Sequence, residues 1–211
     1  MSAGGDPTQS ENVKVTLLGS SGVGKTCIIK RYTEKHFDPN SGSTSGASYS
    51  QQNLEIGNKR LVLDLWDTAG QEKFRSLGRH FYKDAYIVCL VYDITNAESF
   101  NDLKVKWYKD LQQFGEKYTV LAVVGSKSDC YEAEQVPEDE ARKYAESINA
   151  IYMLTSAKTG DNIENLFDSL VRAYLGPDFT KKVEEMKSDK GEVTKVTTEK
   201  ANESKKKNKC C

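Results

Sequence analysis

The chain lacks any apolar run near the ~18 residues that a membrane-spanning helix needs, which excludes a helical span. Met1 to Pro7 has no apolar core of the kind a secretory leader carries. Position 2 is Ser2, not the glycine of a myristoylation site. Cysteine is sparse and wrongly placed for metal: Cys27, Cys89, Cys130, Cys210 and Cys211 show no zinc-ligand spacing, and their number is odd. The first three fall singly, as reduced thiols do in a cytosolic protein, and Cys27 and Cys89 read as small buried hydrophobes. A dominant sign of charge is also missing. The formal net charge is -1, so no nucleic-acid partner is expected. His36 and His80 read as surface or packing residues, not catalysts. What remains is 211 residues, a length suited to one domain with a core that needs no staples.

What is present centres on Gly19-Ser20-Ser21-Gly22-Val23-Gly24-Lys25-Thr26, which satisfies the phosphate-loop pattern G-x-x-x-x-G-K-[ST]. The apolar stretch Val13 to Leu18 before it suits a strand, and Cys27 to Tyr32 after it continues as a helix. Glycines let the backbone approach a dense anion closely. The successive N–H groups form an anion nest at the positive end of the helix. Lys25 brings a charge to the β- and γ-phosphates, and Thr26 offers a hydroxyl to Mg2+. The loop alone says nucleoside triphosphate, without naming the base.

Beyond it, Tyr49 to Ile56 and Leu61 to Trp66 read as a hairpin about Gly57-Asn58. Ala85 to Tyr92, Val120 to Gly125 and Ile151 to Thr155 read as apolar strands buried on both faces. Helical patterns fall between them at Ser99 to Gly115, Pro137 to Ser147 and Asn162 to Leu175. The expected fold is therefore α/β: a mainly parallel six-stranded sheet of phosphate-loop NTPase type, with one antiparallel edge strand and helices on both faces. Residues 1–11 are expected to be loose, 12–176 to form the domain, and 177–211 a disordered tail. Phe37 to Ser48, small and polar without periodicity, reads as a functional loop. In such sheets ligands bind beyond the carboxyl ends of the strands. Four clusters lie there: Gly19 to Thr26, Asp67 to Gln71, Ser126 to Asp129, and Ser156-Ala157-Lys158.

With Trp66-Asp67-Thr68-Ala69-Gly70-Gln71-Glu72, the chain resembles a Ras-superfamily small GTPase. It resembles the Rab branch in Ser45 to Tyr49, Lys73 to Leu77, Tyr92-Asp93-Ile94-Thr95 and the terminal Cys210-Cys211. The switch sequence leans towards the endocytic members. The resemblance covers roughly Asn12 to Leu175 and the tail ending. It implies a molecular switch that binds GTP and GDP with Mg2+, hydrolyses GTP slowly, and recruits effectors in vesicle trafficking. Nucleotide would meet Ser21, Gly22, Val23, Gly24, Lys25, Thr26 and Cys27. Thr26, Thr44 and Asp67 would serve Mg2+, Asp67 through a water. Gly70 would give its N–H to the γ-phosphate, and Gln71 would orient the attacking water as the catalytic residue. Phe37 to Ser48 and Ala69 to Asp84 would be the two switch segments. Ser21 is small enough to leave Gln71 room.

Base reading departs from the family's Asn-Lys-x-Asp. Here the stretch is Ser126-Lys127-Ser128-Asp129. Asp129 can accept the N1–H and 2-amino of guanine, which adenine cannot offer. Lys127 can lie along the base and ribose. The missing Asn amide would have contacted the base edge and tied this loop to the phosphate loop. Its loss is expected to cost about 1–3 kcal/mol, part of which a water or a Ser126 rotamer can restore, leaving guanine selectivity but looser binding. In Ser156-Ala157-Lys158, backbone N–H groups would meet the guanine carbonyl. The alternative is a weakly binding or fast-exchanging scaffold. Another phosphate-loop enzyme, such as a nucleotide kinase, would have no use for Asp129 or the Asp67 to Gln71 motif.

From Lys181 to Lys209 the tail carries ten Lys against six acidic residues, net +4, against about -5 elsewhere. Few large apolar residues occur there, so disorder is expected. Beside the basic run, Cys210 and Cys211 resemble a doubly prenylated anchor, and one lipid chain alone binds only marginally. The resemblance then implies a monomer on the cytoplasmic face of an intracellular membrane, endosomal by its leaning, with a cytosolic pool. Its implied partners are an exchange factor, a GTPase-activating protein, effectors, a prenylation escort protein and a GDP-dissociation inhibitor.

Overall fold

In the computed structural model the described residues are 10–40, 42, 44, 48–57, 59–68, 83–115 and 118–180. Strands β1 (Glu11–Leu18), β2 (Ser48–Ile56), β3 (Lys59–Asp67), β4 (Ile87–Asp93), β5 (Val120–Ser126) and β6 (Ile151–Leu154) form one sheet in the order β2-β3-β1-β4-β5-β6. Only the β2–β3 pairing is antiparallel. The expected mixed six-stranded sheet is therefore present. Ile56 pairs with Lys59 across a two-residue turn in which Gly57 has φ 62°, while Asn58 lies outside the described residues.

Alternation decides which face of β3 is buried. Leu61, Leu63 and Leu65 are buried, while Val62, Asp64 and Trp66 are only partly so. The buried set packs with Val13, Val15 and Leu17 of β1 against helices α1 (Lys25–Glu34) and α5 (Ile163–Leu175). Tyr32 of α1 stacks on Phe167 of α5, ring centroids 3.8 Å apart, a contact worth about 0.5–1.5 kcal/mol beyond its area. On the other face, β4 and β5 meet Phe100 of α2 (Ala97–Asp102), Leu111 of α3 (Tyr108–Phe114), and Ala141 and Ala145 of α4 (Glu138–Ser147).

The stretch expected as one helix over Ser99 to Gly115 starts earlier, because the Asn96 side chain caps it by accepting from Ser99 N at 3.1 Å. A π-helical segment, Leu103–Trp107, joins α2 to α3. Eight residues of straight α-helix would set Leu111 about 80° off Leu103, and absorbing one residue in the wider turn returns it to within about 20°. Both leucines are fully buried as a result.

β6 corrects one expectation. It is half-buried throughout, not covered on both faces, because it is the sheet's outermost strand beyond β5. A 3-10 segment at Ser128–Ala133 follows β5 where no element was expected. A helical turn at 177–180 follows Gly176, with Thr180 N donating to Gly176 O. Among the described residues no helix is long and apolar enough to cross a membrane.

Candidate nucleotide-binding site

β1 is flanked by β3 on one side and β4 on the other, so it stands at the point where strand order reverses. The phosphate loop emerges there. Gly19 is required by close approach: a Cβ would lie 2.2 Å from Val91 O of β4. Gly24 closes the loop at φ 96°, a left-handed conformation, and its carbonyl accepts the first bond of α1 from Ile28 N. Ser21 and Gly22 are exposed on the rim.

Lys25 folds back into the loop. Its Nζ donates to Gly19 O at 2.7 Å and Ser20 O at 3.0 Å. Burial pushes its pKa down to about 8, against a smaller upward pull from Asp67. Thr26 Oγ1 donates to Asp67 Oδ2 at 2.6 Å and lies 2.6 Å from Thr44 Oγ1. Burial raises the Asp67 carboxyl pKa, although Thr26, Lys25, Ser48 and Thr44 all oppose it. Asp67 Oδ1 is buried without a hydrogen-bond partner. Three oxygen-bearing side chains and an orphaned carboxylate oxygen suit a small hard cation, so the residues present fit Mg2+.

The other half of the site assembles at the ends of β4, β5 and β6. Asp93 and Ser126 are register partners, so the two strands end level. Lys127, at φ 61°, turns back and places Nζ 2.6 Å from Asp93 Oδ2. Asp93 is fixed in turn by Thr95, whose N and Oγ1 donate to Oδ1 at 2.9 and 2.7 Å. Asp129 accepts from Ser156 Oγ at 2.7 Å, and Lys158 Nζ lies 3.5 Å from its other oxygen. Burial alone would raise the Asp129 pKa, but the Ser156 bond and the Lys158 charge hold it below the usual carboxylate range. The carboxylate is thus kept ionised and oriented.

Ser126 keeps a tie to the phosphate loop by its own hydroxyl. Its hydroxyl lies 2.5 Å from Val23 O of the phosphate loop and 2.8 Å from Tyr92 O of β4. One proton serves two carbonyls, so the serine keeps the tie although it is shorter than asparagine. The N–H of Ser156 is committed within its own loop, donating to Asp161 O at 3.0 Å, and its hydroxyl is the group that meets Asp129. Cys27 is half-buried, not a core thiol, whereas Cys89 is fully buried as expected.

These residues enclose a cavity of about 310 Å³, lined by Gly22, Gly24, Cys27, Ser126, Lys127, Asp129, Ala157 and Lys158 together with Phe37 and Pro39. Thr26, Thr44 and Asp67 form the metal-suited cluster beside the loop. Gly70, Gln71, Cys210 and Cys211 lie outside the described residues. Sequence reasoning quoted Asp93 for the family resemblance but gave it no place in the site. It ends β4, and the strand-end rule applied to that strand as well would have found it.

A family model described as Ras family matches residues 14–176. Ras-related protein Rab-31 of Mus musculus is 44% identical over 167 residues, covering 78% of this chain and 85% of that protein. Ras-related protein Rab-22A of Homo sapiens is 43% identical over 166 residues, 79% of this chain and 85% of that protein. Ras-related protein Rab-30 of Homo sapiens is 39% identical over 154 residues, 73% of this chain and 75% of that protein.

Proposed function

The chain belongs to the Ras family, within its Rab branch, and from that premise we propose how its site works as a GTP-binding switch in vesicle trafficking. It is a GTPase, converting GTP and water to GDP and phosphate. The observation that carries the reading is one cavity with a phosphate cradle at one end and an oriented, ionised carboxylate at the other.

The triphosphate lies along the loop from Ser21 to Cys27, on main-chain N–H groups at the start of α1. The Lys25 ammonium exchanges its bonds to Gly19 O and Ser20 O for phosphate oxygens, and the added negative charge raises its pKa again. Guanine presents N1–H and its 2-amino group to Asp129, which Ser156 and Lys158 hold in place. Lys127, anchored by Asp93, lies along the nucleoside. The N–H groups of Ala157 and Lys158 meet the guanine carbonyl.

Thr26, Thr44 and Asp67 would hold Mg2+, a choice supported by their oxygen donors and the orphaned Asp67 Oδ1. When bound it neutralises charge on the β- and γ-phosphates. Gly70 meets the γ-phosphate and Gln71 orients the attacking water, roles supported by the Asp67 to Gln71 motif. Intrinsic hydrolysis is on the order of 10⁻⁴ to 10⁻³ per second, raised by an activating protein. GTP orders the segments Phe37 to Ser48 and Ala69 to Asp84, which effectors then read. An exchange factor reloads the site. Prenyl groups on Cys210 and Cys211 and the basic tail anchor the protein on an intracellular, endosomal membrane. An escort protein and a GDP-dissociation inhibitor handle the lipidated chain and sustain its cytosolic pool.

The scaffold alternative loses its ground, because Ser126 still ties the base loop to the phosphate loop. Binding of GDP and GTP, with ATP as competitor and with Mg2+ present or chelated, tests the reading. Guanine-selective binding that loosens on chelation is expected. Binding equal for ATP and GTP defeats it.

A further inference from the structure

We propose that Arg31 is a positioning residue that pins two walls of the nucleotide cavity together from outside and thereby sets the rate of nucleotide release. It rests on the guanine-nucleotide reading above. Arg31 lies in the last turn of α1, where the plain role of a basic residue is to cap the helix. One bond does that: Nη1 donates to Lys35 O at 3.2 Å. Capping does not explain the rest of the fork. Nη2 donates to Thr159 O at 3.1 Å and reaches Lys158 O at 3.4 Å, residues 128 and 127 positions away.

Those two carbonyls belong to the loop that reads the base. Gly160 N bonds Ser156 O at 2.8 Å, Thr159 N bonds Ser156 Oγ at 3.1 Å, and that hydroxyl holds Asp129. A continuous path of hydrogen bonds therefore runs from the Arg31 guanidinium to the carboxylate that selects guanine. Gly160 completes the seat. A Cβ there would lie 3.1 Å from Nη2 and 3.2 Å from Nε, and its φ of 93° favours glycine independently. The absence of a side chain lets the guanidinium lie directly on the loop.

Lys35, the third partner, ends α1 at φ 58° and starts the opposite wall. Two to four residues on, Phe37, Asp38 and Pro39 line the same cavity that Ala157 and Lys158 line from the base side. One planar fork thus joins the root of the first switch segment to the base-reading loop. A nucleoside held between these walls leaves more readily when they part. A lysine offers a single ammonium and cannot reproduce the fork.

The test uses the full chain, as wild type, Arg31→Ala and Arg31→Lys, with Arg142→Ala as a control for loss of an exposed arginine. Four quantities are read: GDP dissociation with and without Mg2+, the affinity ratio of GDP to inosine diphosphate, single-turnover hydrolysis of preloaded GTP, and melting temperature. Arg31→Ala is expected to release GDP about tenfold faster, the loss of charge-assisted bonds to the loop. The factor should be the same with and without Mg2+, because the metal-suited cluster shares no partner with Arg31. Selectivity against inosine diphosphate, which lacks the 2-amino group, should narrow. Single-turnover hydrolysis should stay within about twofold of wild type. Arg31→Lys should release GDP about threefold faster, and it carries the test alone where the alanine variant does not fold. Wild-type release in the Arg31 variants, or equal acceleration in Arg142→Ala, overturns the inference. Failure of the wild type to bind GDP instead defeats the reading on which it rests.

Discussion

Removing the Ser126 hydroxyl tests the tie between the two halves of the site. Ser126 is 2% exposed, and its Oγ lies 2.5 Å from Val23 O and 2.8 Å from Tyr92 O. In Ser126→Ala both carbonyls lose their shared donor in a region too enclosed for easy hydration. A buried acceptor left unpaired costs about 1–3 kcal/mol. Borne by the nucleotide-bound state, that raises GDP release by about tenfold to a hundredfold. Ser126→Thr keeps the hydroxyl and should release GDP near the wild-type rate. Ser126→Asn brings two N–H donors where serine has one, so each carbonyl can be served. Because the serine already makes the tie, asparagine should slow release by less than about tenfold. Displacement of a fluorescent GDP by excess unlabelled GDP measures all four proteins. Wild-type release in Ser126→Ala would refute the tie. A hundredfold slowing in Ser126→Asn would mean that serine leaves nearly all of the asparagine contribution unmade.

Other outcomes follow from the same geometry. Burial lowers Lys25 from 10.5 to about 8 in the nucleotide-free protein, while bound phosphates favour its charged form. GDP affinity should therefore hold below pH 8 and fall as pH rises towards 10.5, by up to about tenfold per unit. Stability of the nucleotide-free fold moves oppositely, rising over that window by up to about 3 kcal/mol, because the unfolded chain there binds more protons. Calorimetry in buffers of different ionisation heat reads the proton uptake, and flat affinity from about pH 7.5 to 9.5 would contradict the Lys25 role. Gln71→Leu should keep GTP binding and lose turnover stimulated by an activating protein; undiminished turnover removes Gln71 from the mechanism. Mass spectrometry of protein from its own cells should find two prenyl groups on Cys210 and Cys211, and free thiols there would end the anchor proposal.

Much of the fold was legible because burial imposes periods. The step of two in Leu61, Leu63 and Leu65 is the imprint of the core face of β3. The apolar runs of β4 and β5 marked strands covered on both sides. The same rule misjudged β6, since apolarity along four residues does not say whether a neighbour lies beyond the strand. The π-helical segment was hidden for a related reason. Apolar residues at steps of three and four suit either a straight helix or one that absorbs a residue, and the face available for packing chooses between them.

By itself the sequence determined the site's chemical kinds: a glycine loop of the phosphate-binding pattern with Lys25 and Thr26, and small polar clusters placed just beyond the strands. The loop follows from residue type and short spacing, the duties expected of Thr44, Asp67 and Asp129 came from the family resemblance, and parallel strands bring their carboxyl ends to one edge wherever the loops fall in the chain. Tertiary structure alone decided how those pieces hold one another. Ser126 meets Val23 from 103 positions away, Lys127 turns back onto Asp93, and Arg31 reaches Thr159 across 128 positions. Such contacts depend on where strand ends stop in space and on which way a left-handed residue turns the chain. Local composition carries neither quantity, so the strength with which this site keeps its nucleotide is a property of the packed sheet.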